Sequence, residues 1–228
     1  MKAPLFGLLA LLIALPLSAQ QVGFPPAGSP FRDLEYKQEI TPYGGWANAS
    51  TDAAQVLPQS AAIFGARYQL HLGGPVSFDG DFSRMSSTRN VVDPTQIAGK
   101  RIVGTTDAPV YGVNVGLALA LTGRKSWHYL VPEVRGGAGV VTSNTKDDAS
   151  GYSFGTPFAF TFGGGLKFVS TGRFQLRADV TERWYKQKYP DSFFVASSDN
   201  TSLLTTQARS FYPRQTLLTV GASLLFDR

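Results

Sequence analysis

Eight segments of the chain alternate apolar side chains with polar or small ones, and the connections between them run long, short, long, short, long, short, long. Period-two alternation places the two sets on opposite faces of a β-strand. The segments are Leu34–Ala47, Ala62–Leu72, Val76–Ser83, Val110–Leu121, Tyr129–Val141, Phe158–Val169, Arg173–Tyr185 and Arg214–Phe226. The second is the plainest, with Ala62, Phe64, Ala66, Tyr68, Leu70 and Leu72 set against Ile63, Gly65, Arg67, Gln69 and His71. Val110–Leu121 is rich in Ala and Leu, but its period of two and its glycines favour a strand over a helix. Pro42 and Pro132 interrupt two segments; each removes a ladder donor, so a local distortion is expected there.

One continuous apolar face on every segment needs an apolar environment, and the N-terminus says which. Lys2, the eleven-residue apolar run Leu5–Leu15 and the small-residue site Pro16-Leu17-Ser18-Ala19 read as a signal peptide cut after Ala19. Eleven residues cannot cross a hydrocarbon core that needs about 20 in a helix. An exported chain without a spanning helix can still cross a membrane as a closed barrel, the other way to satisfy every backbone group in lipid. Short turns on one side, long loops on the other and an even strand number fit that architecture, with both termini on the periplasmic side. The expected organisation is a signal peptide at 1–19, a proline-rich periplasmic leader at 20–33 and an eight-stranded antiparallel transmembrane barrel at 34–228.

Composition agrees. Charged residues are 16% of the chain, below the roughly 25% of an ordinary soluble domain, and there are 24 glycines. With no cysteine there is no disulfide, thiolate metal site or lipidated cysteine. A formal charge of +5, one lower once Lys2 is removed, is too small and too dispersed to indicate nucleic acid. Trp46, Tyr111, Trp127, Tyr129, Trp184 and Tyr212 lie near strand ends, where aromatic girdles belong.

The final segment, with Thr219, Gly221, Leu224 and Phe226, resembles the C-terminal targeting strand of bacterial outer-membrane barrels. Together with Ile40-Thr41-Pro42-Tyr43-Gly44-Gly45, it makes residues 34 to 226 similar to the small eight-stranded barrels related to the transmembrane domain of outer-membrane protein A. The resemblance implies a cell outer membrane location, insertion by the barrel-assembly machinery and contact with outer-membrane lipid or lipopolysaccharide. No soluble domain is expected after the last strand, and without one the family's peptidoglycan tether is not expected either. A monomer is expected.

Alternation turns Lys37, Arg67, Arg135, Lys167, Arg177 and Arg183 inward, with Glu35, Glu39, Asp79, Asp81, Glu133 and Asp179. Eight strands leave an interior that side chains fill, and charges there must pair. Arg67, Asp79, Asp81, Glu133, Arg135, Arg177 and Asp179 fall in the middle third of their strands and are expected to share one layer, with Arg67 paired to Asp79 or Asp81. Lys100, Arg101, Lys186 and Lys188 are candidate contacts for an anionic surface glycan.

The expected role is structural or surface-interacting, with a narrow channel or porin as the alternative and an adhesin or lipid-modifying enzyme behind it. Ser126-Trp127-His128 is where a serine and a histidine sit close in sequence, but a triad is defined by geometry, and no carboxylate partner is evident for it. His71 shares its strand with no second histidine or cysteine, so no metal is expected. No catalytic residue and no cofactor are assigned.

Overall fold

The computed structural model describes residues 28–144, 148–170, 172–205 and 209–226. The chain divides into two units, Met1–Pro30 and Phe31–Arg228. The proposed signal peptide and residues 20–27 of the leader lie outside the described residues.

Eight long strands form the second unit: β1 (Gln38–Ala49), β2 (Ala61–Gly73), β3 (Val76–Met85), β4 (Val110–Ala120), β5 (Leu130–Ser143), β6 (Phe158–Val169), β7 (Phe174–Tyr185) and β8 (Arg214–Phe226). Each pairs antiparallel with its neighbours in sequence, and β8 pairs with β1, which closes the barrel. Exposed Phe160, Phe162, Leu176, Val180, Val115 and Leu117 form part of an apolar outer belt, whereas Ala159, Gln175, Arg177, Asp179, Asn114 and Ala118, which alternate with them, are buried on the lumen side. A surface of that kind is stable in lipid and aggregates in water.

The first strand begins at Gln38, four residues later than alternation suggests. Glu35 and Lys37 therefore precede the wall instead of facing into it, and they line the periplasmic mouth. The last residues of the expected leader are also structured. Phe31–Asp33 pairs antiparallel with Lys125–Trp127 from the turn between β4 and β5.

Pro42 leaves its mark on the closing seam. The β8–β1 ladder runs from Gln215↔Ala49 to Gly221↔Tyr43 and resumes at Leu224↔Ile40, so it is interrupted opposite Pro42 and Thr41. Pro132 costs no rung to β4. It lies one residue beyond the last β4–β5 pair, Ala120↔Glu133.

The long connections are not featureless. The one after β3 contains a hairpin, Thr88–Val92 with Ile102–Asp107, and the one after β7 contains the pair Gln187–Lys188 with Ser210–Phe211 and a short 3-10 turn, Asp191–Phe194. All four external loops contribute to one apolar core. Val56 and Leu57, Val92, Tyr152 and Phe154, and Tyr189, Phe193 and Leu204 pack over the inward-facing upper ends of the wall, including Ile63, Met85, Val110, Val141, Tyr185 and Leu217. Nothing periodic announces this core in the sequence.

Candidate functional site

The lumen is the first candidate site, because burial forces its charges into specific partnerships. The hairpin between β2 and β3 puts Arg67 opposite Asp81, and Arg67 Nη2 lies 3.3 Å from Asp81 Oδ2, with Nε 3.5 Å from Asp79 Oδ2. Its shortest contact is to Asp179 on the far wall, 2.8 Å from Nη1. Asp179 also accepts from Arg135 Nη2 at 2.9 Å and Arg177 Nε at 3.0 Å. One carboxylate thus serves three guanidiniums.

Glu133 contacts Arg135 at 3.4 Å, Arg177 at 3.2 Å and Lys167 at 2.8 Å. Glu39 closes the cluster through Lys167 at 2.9 Å and Arg177 at 2.8 Å. The structure thus brings all seven residues of the expected layer together and adds Glu39 and Lys167. Alternation had turned both inward, but their height depends on the stagger between strands, which sequence does not give.

Small residues make the space. At Gly165, between Asp179 and Glu133 in the ladders, an added Cβ would lie 1.9 Å from Asp179 Oδ1. A second fit is at Gly65, where a Cβ would be 2.5 Å from the Tyr43 hydroxyl, which donates to Asp81 Oδ1 at 3.1 Å. Bulk at Gly165 would push the Asp179 carboxylate out of its pairing, and bulk at Gly65 would displace the Tyr43 hydroxyl from Asp81.

Arg183 stands one level above. It is 1% exposed, it has no carboxylate within 4.0 Å among the described residues, and its Nη2 donates to Ser83 Oγ at 2.9 Å. With Arg183 included, Arg67, Arg135, Lys167, Arg177 and Arg183 face Glu39, Asp79, Asp81, Glu133 and Asp179, and the buried charge balances. Balance matters because a desolvated ion without a counter-charge costs several kcal/mol.

A vestibule of about 490 Å³ opens below this cluster, lined by Lys37, Glu39, His71, Glu133 and Lys167 among others. Beside Arg183, Arg67 and Asp81 a chamber of about 30 Å³ remains. Above it lies the apolar loop core. The lumen is therefore closed twice, by a charged layer and by a greasy cap.

Polar pins hold the cap. Asp52 accepts from the Ala54 and Leu57 amides at 3.1 and 3.0 Å and from the Tyr189 hydroxyl at 3.1 Å. Arg89, fully buried, pairs with Asp148 and lies 5.4 Å from the Tyr152 ring centre. The Tyr152 hydroxyl donates to Gln187 Oε1 at 2.9 Å, and Gln187 Nε2 donates to the Phe154 carbonyl at 3.1 Å. Burial pushes the Tyr152 and Tyr189 phenols above their ordinary pKa, so both remain donors.

Arg101 differs from its expected role as a glycan contact. Its Nη1 donates to the Ser202 carbonyl at 2.8 Å and its Nη2 to Thr201 O at 2.8 Å and Thr201 Oγ1 at 2.7 Å, and so it braces the second external loop against the fourth. On the other side of the brace, the Ala98 amide donates to Asp199 Oδ2 at 2.7 Å. Lys100, Lys186 and Lys188 are exposed. A loop arginine and a loop lysine look alike in sequence; the planar fork, suited to several carbonyls at once, separates them here.

The closing-strand residues divide by face. Thr219 and Gly221 point inward, opposite Gly45 and Tyr43 of β1, whereas Leu224 and Phe226 belong to the outer belt, with the Phe226 ring 6.5 Å from that of Tyr68. In the periplasmic turn, Ser126 Oγ donates to the Arg32 carbonyl at 3.5 Å and the His128 ring packs edge-on against Trp127. His71 Nδ1 is 3.2 Å from Ser77 Oγ. No cluster of metal-ligating side chains occurs among the described residues.

An eight-stranded antiparallel barrel with an apolar belt, short turns below, long loops above and a lumen filled with paired charges is an outer-membrane barrel. The family comparison agrees: residues 7–224 match the outer membrane protein beta-barrel domain, and the chain belongs to that family. Among solved structures it is similar in fold to Neisserial surface protein A, at 14% identity and a TM-score of 0.50 over 83% of this chain and 97% of that one. The outer membrane protein AlkL in lipid bilayers gives 13% identity and a TM-score of 0.50 over 91% and 98%. No curated protein sequence matches the chain. The cell outer membrane is its location.

Proposed function

We propose that this barrel does not conduct and instead carries a rigid external platform for contact with an anionic surface glycan such as lipopolysaccharide. The observation that supports the reading is the shared apolar core of the four external loops, which lies over a lumen already filled by paired charges. A loop cluster built for gating would need to move, whereas a packed core with buried polar pins resists motion. Loops held in one shape suit recognition, because little conformational entropy is lost on binding. Lys100, Lys186 and Lys188 offer exposed ammonium groups to phosphate or carboxylate; Arg101 contributes by bracing the loops. Catalysis has no part in this reading, and the barrel acts as a monomer inserted by the assembly machinery through β8.

Two measurements on the refolded protein test it. In a planar bilayer the expected trace is silent, and large, stable currents would replace this reading with a channel. Lipopolysaccharide micelles should bind the wild type more tightly than a Lys100→Gln, Lys186→Gln, Lys188→Gln variant. Equal binding would remove the glycan from the proposal.

A further inference from the structure

Three charges among the described wall residues face the lipid side. Glu182 and Arg214 neutralise each other at 3.3 Å, and the Thr216 hydroxyl donates to Glu182 at 2.8 Å. The third is Arg84. Its neighbours Ser83 and Met85 are buried in the lumen, so Arg84 projects outward, one residue from the external end of β3. No hydrogen bond or ion pair reaches its side chain among the described residues, and its Nε is sealed from water.

Aromatic rings hold it in place. Arg84 is paired across the ladders with Phe64 on β2 and Tyr111 on β4, and its guanidinium carbon lies 5.4 Å from one ring centre and 5.8 Å from the other. Flanking rings fix a guanidinium and favour its charge without using its N–H donors. The fork is therefore fixed at the outer rim with its Nη1 and Nη2 donors free. At the midplane an outward cation is costly, but near the interface it is tolerated, and there the groups it meets are lipid phosphates.

We propose that Arg84, clamped between Phe64 and Tyr111, binds the phosphate of a lipid in the outer leaflet. A planar fork matches phosphate oxygens two at a time, which a flexible ammonium does not. The lipid headgroup is the source because the side chain leaves the barrel through the belt, beside Phe82 and Phe64, both half exposed to lipid. This site is separate from the loop lysines, and each can fail without the other.

The test uses native mass spectrometry of the folded full chain released from mixed micelles containing dimyristoyl phosphatidic acid or dimyristoylglycerol. Wild type should retain one phosphatidic acid about fivefold more tightly than Arg84→Gln, the factor expected for one basic residue near an anionic surface. Arg84→Lys should fall between the two, and Tyr111→Leu, which keeps the charge and removes one wall of the clamp, should also lose part of the preference. Dimyristoylglycerol should be held equally by all four proteins, and millimolar inorganic phosphate should not displace the lipid. A heat-dependent gel shift checks that each variant is folded. Equal retention by wild type and Arg84→Gln would overturn the proposal, as would displacement by inorganic phosphate.

Discussion

Thr41 Oγ1 and Ser223 Oγ lie 2.7 Å apart inside the barrel, at the place where Pro42 interrupts the ladder between the first and last strands. Both residues are buried, with exposures of 0%. A side-chain bond there spans the stretch where the closing seam lacks backbone rungs. Removing one hydroxyl would leave the other buried without a partner, at a cost of about 1–3 kcal/mol, whereas replacing both is close to neutral. Thr41→Val and Ser223→Ala should therefore each lower stability in urea titrations from lipid vesicles, and the double variant should recover much of the loss. Additive losses would mean that the two hydroxyls act independently.

Gly221 belongs to the same seam. A Cβ there would sit 2.7 Å from the Pro42 carbonyl oxygen and 2.9 Å from Thr41 Cγ2. Gly221→Asp should block folding more severely than Phe226→Asp, because the first adds both bulk and charge to a closed seam while the second sits at the membrane edge, where an outward charge costs about 0–1 kcal/mol. Gel-shift yields on refolding measure both. Equal yields would show that crowding at the seam does not govern closure.

How far the sequence reaches depends on range. Arg67 with Asp81 was legible as an inward pair on two hairpin-joined strands, because period two puts both side chains inside. The one-residue register shift between His71 and Gly73 that sets them opposite each other was not. Asp179 as the partner that Arg67 and Arg135 share with its strand neighbour Arg177 was not legible either, since contacts across the lumen depend on the stagger accumulated around the whole barrel. The loop core was hidden for a different reason. Val56, Val92, Tyr152 and Phe193 come from four loops with no periodicity, and only the closed barrel brings them together. Arg101 was grouped with the candidate glycan contacts because its acceptors, Thr201 and Ser202, are in another loop.

Asp179 should be the most costly residue of the charged layer to alter. Asp179→Ala leaves three guanidiniums short of a partner, and breaking a buried pair costs about 3–5 kcal/mol. Asp81→Ala removes one contact of 3.3 Å from an arginine that keeps two others, so its loss should be smaller. In double-mutant cycles the Arg67–Asp179 coupling should exceed the Arg67–Asp81 coupling. The reverse order, read from urea midpoints, would make the hairpin pair dominant.

Acid should reach the loop brace late. Hydrogen bonds from Ser197, the Ala98 amide and Thr201 hold the Asp199 carboxyl below its ordinary pKa. A depressed folded pKa means that the stabilisation is fully present above the unfolded value, about 3.9, and is lost as pH falls through the lower folded value. Hydrogen exchange at the Ala98 amide should thus show constant protection from pH 8 to pH 5 after correction for the intrinsic rate. Asp199→Asn should weaken that protection across the whole range. Protection that declines between pH 7 and pH 6 would point to a different titrating group.

The charged layer and the apolar cap are in series, and that arrangement predicts how the lumen responds to damage. Phe193 is fully buried in the cap, its ring tilted against that of Tyr189 with ring centres 5.9 Å apart. Phe193→Ala should cost about 3–5 kcal/mol, and because the wall ladders do not depend on Phe193, the loss should appear as local opening of the loops. External protease should then cut the loops while the membrane-embedded barrel keeps its gel shift. Opening the cap alone should leave the bilayer silent, since Asp179 and its strand neighbour Arg177 still hold Arg67 and Arg135 across the lumen below it. Asp179→Ala alone should be silent too, with the cap intact above. Only the combination should pass ions, through a path limited by the arginines that remain. Steady current from either single variant would show that one barrier, not two, keeps this barrel closed.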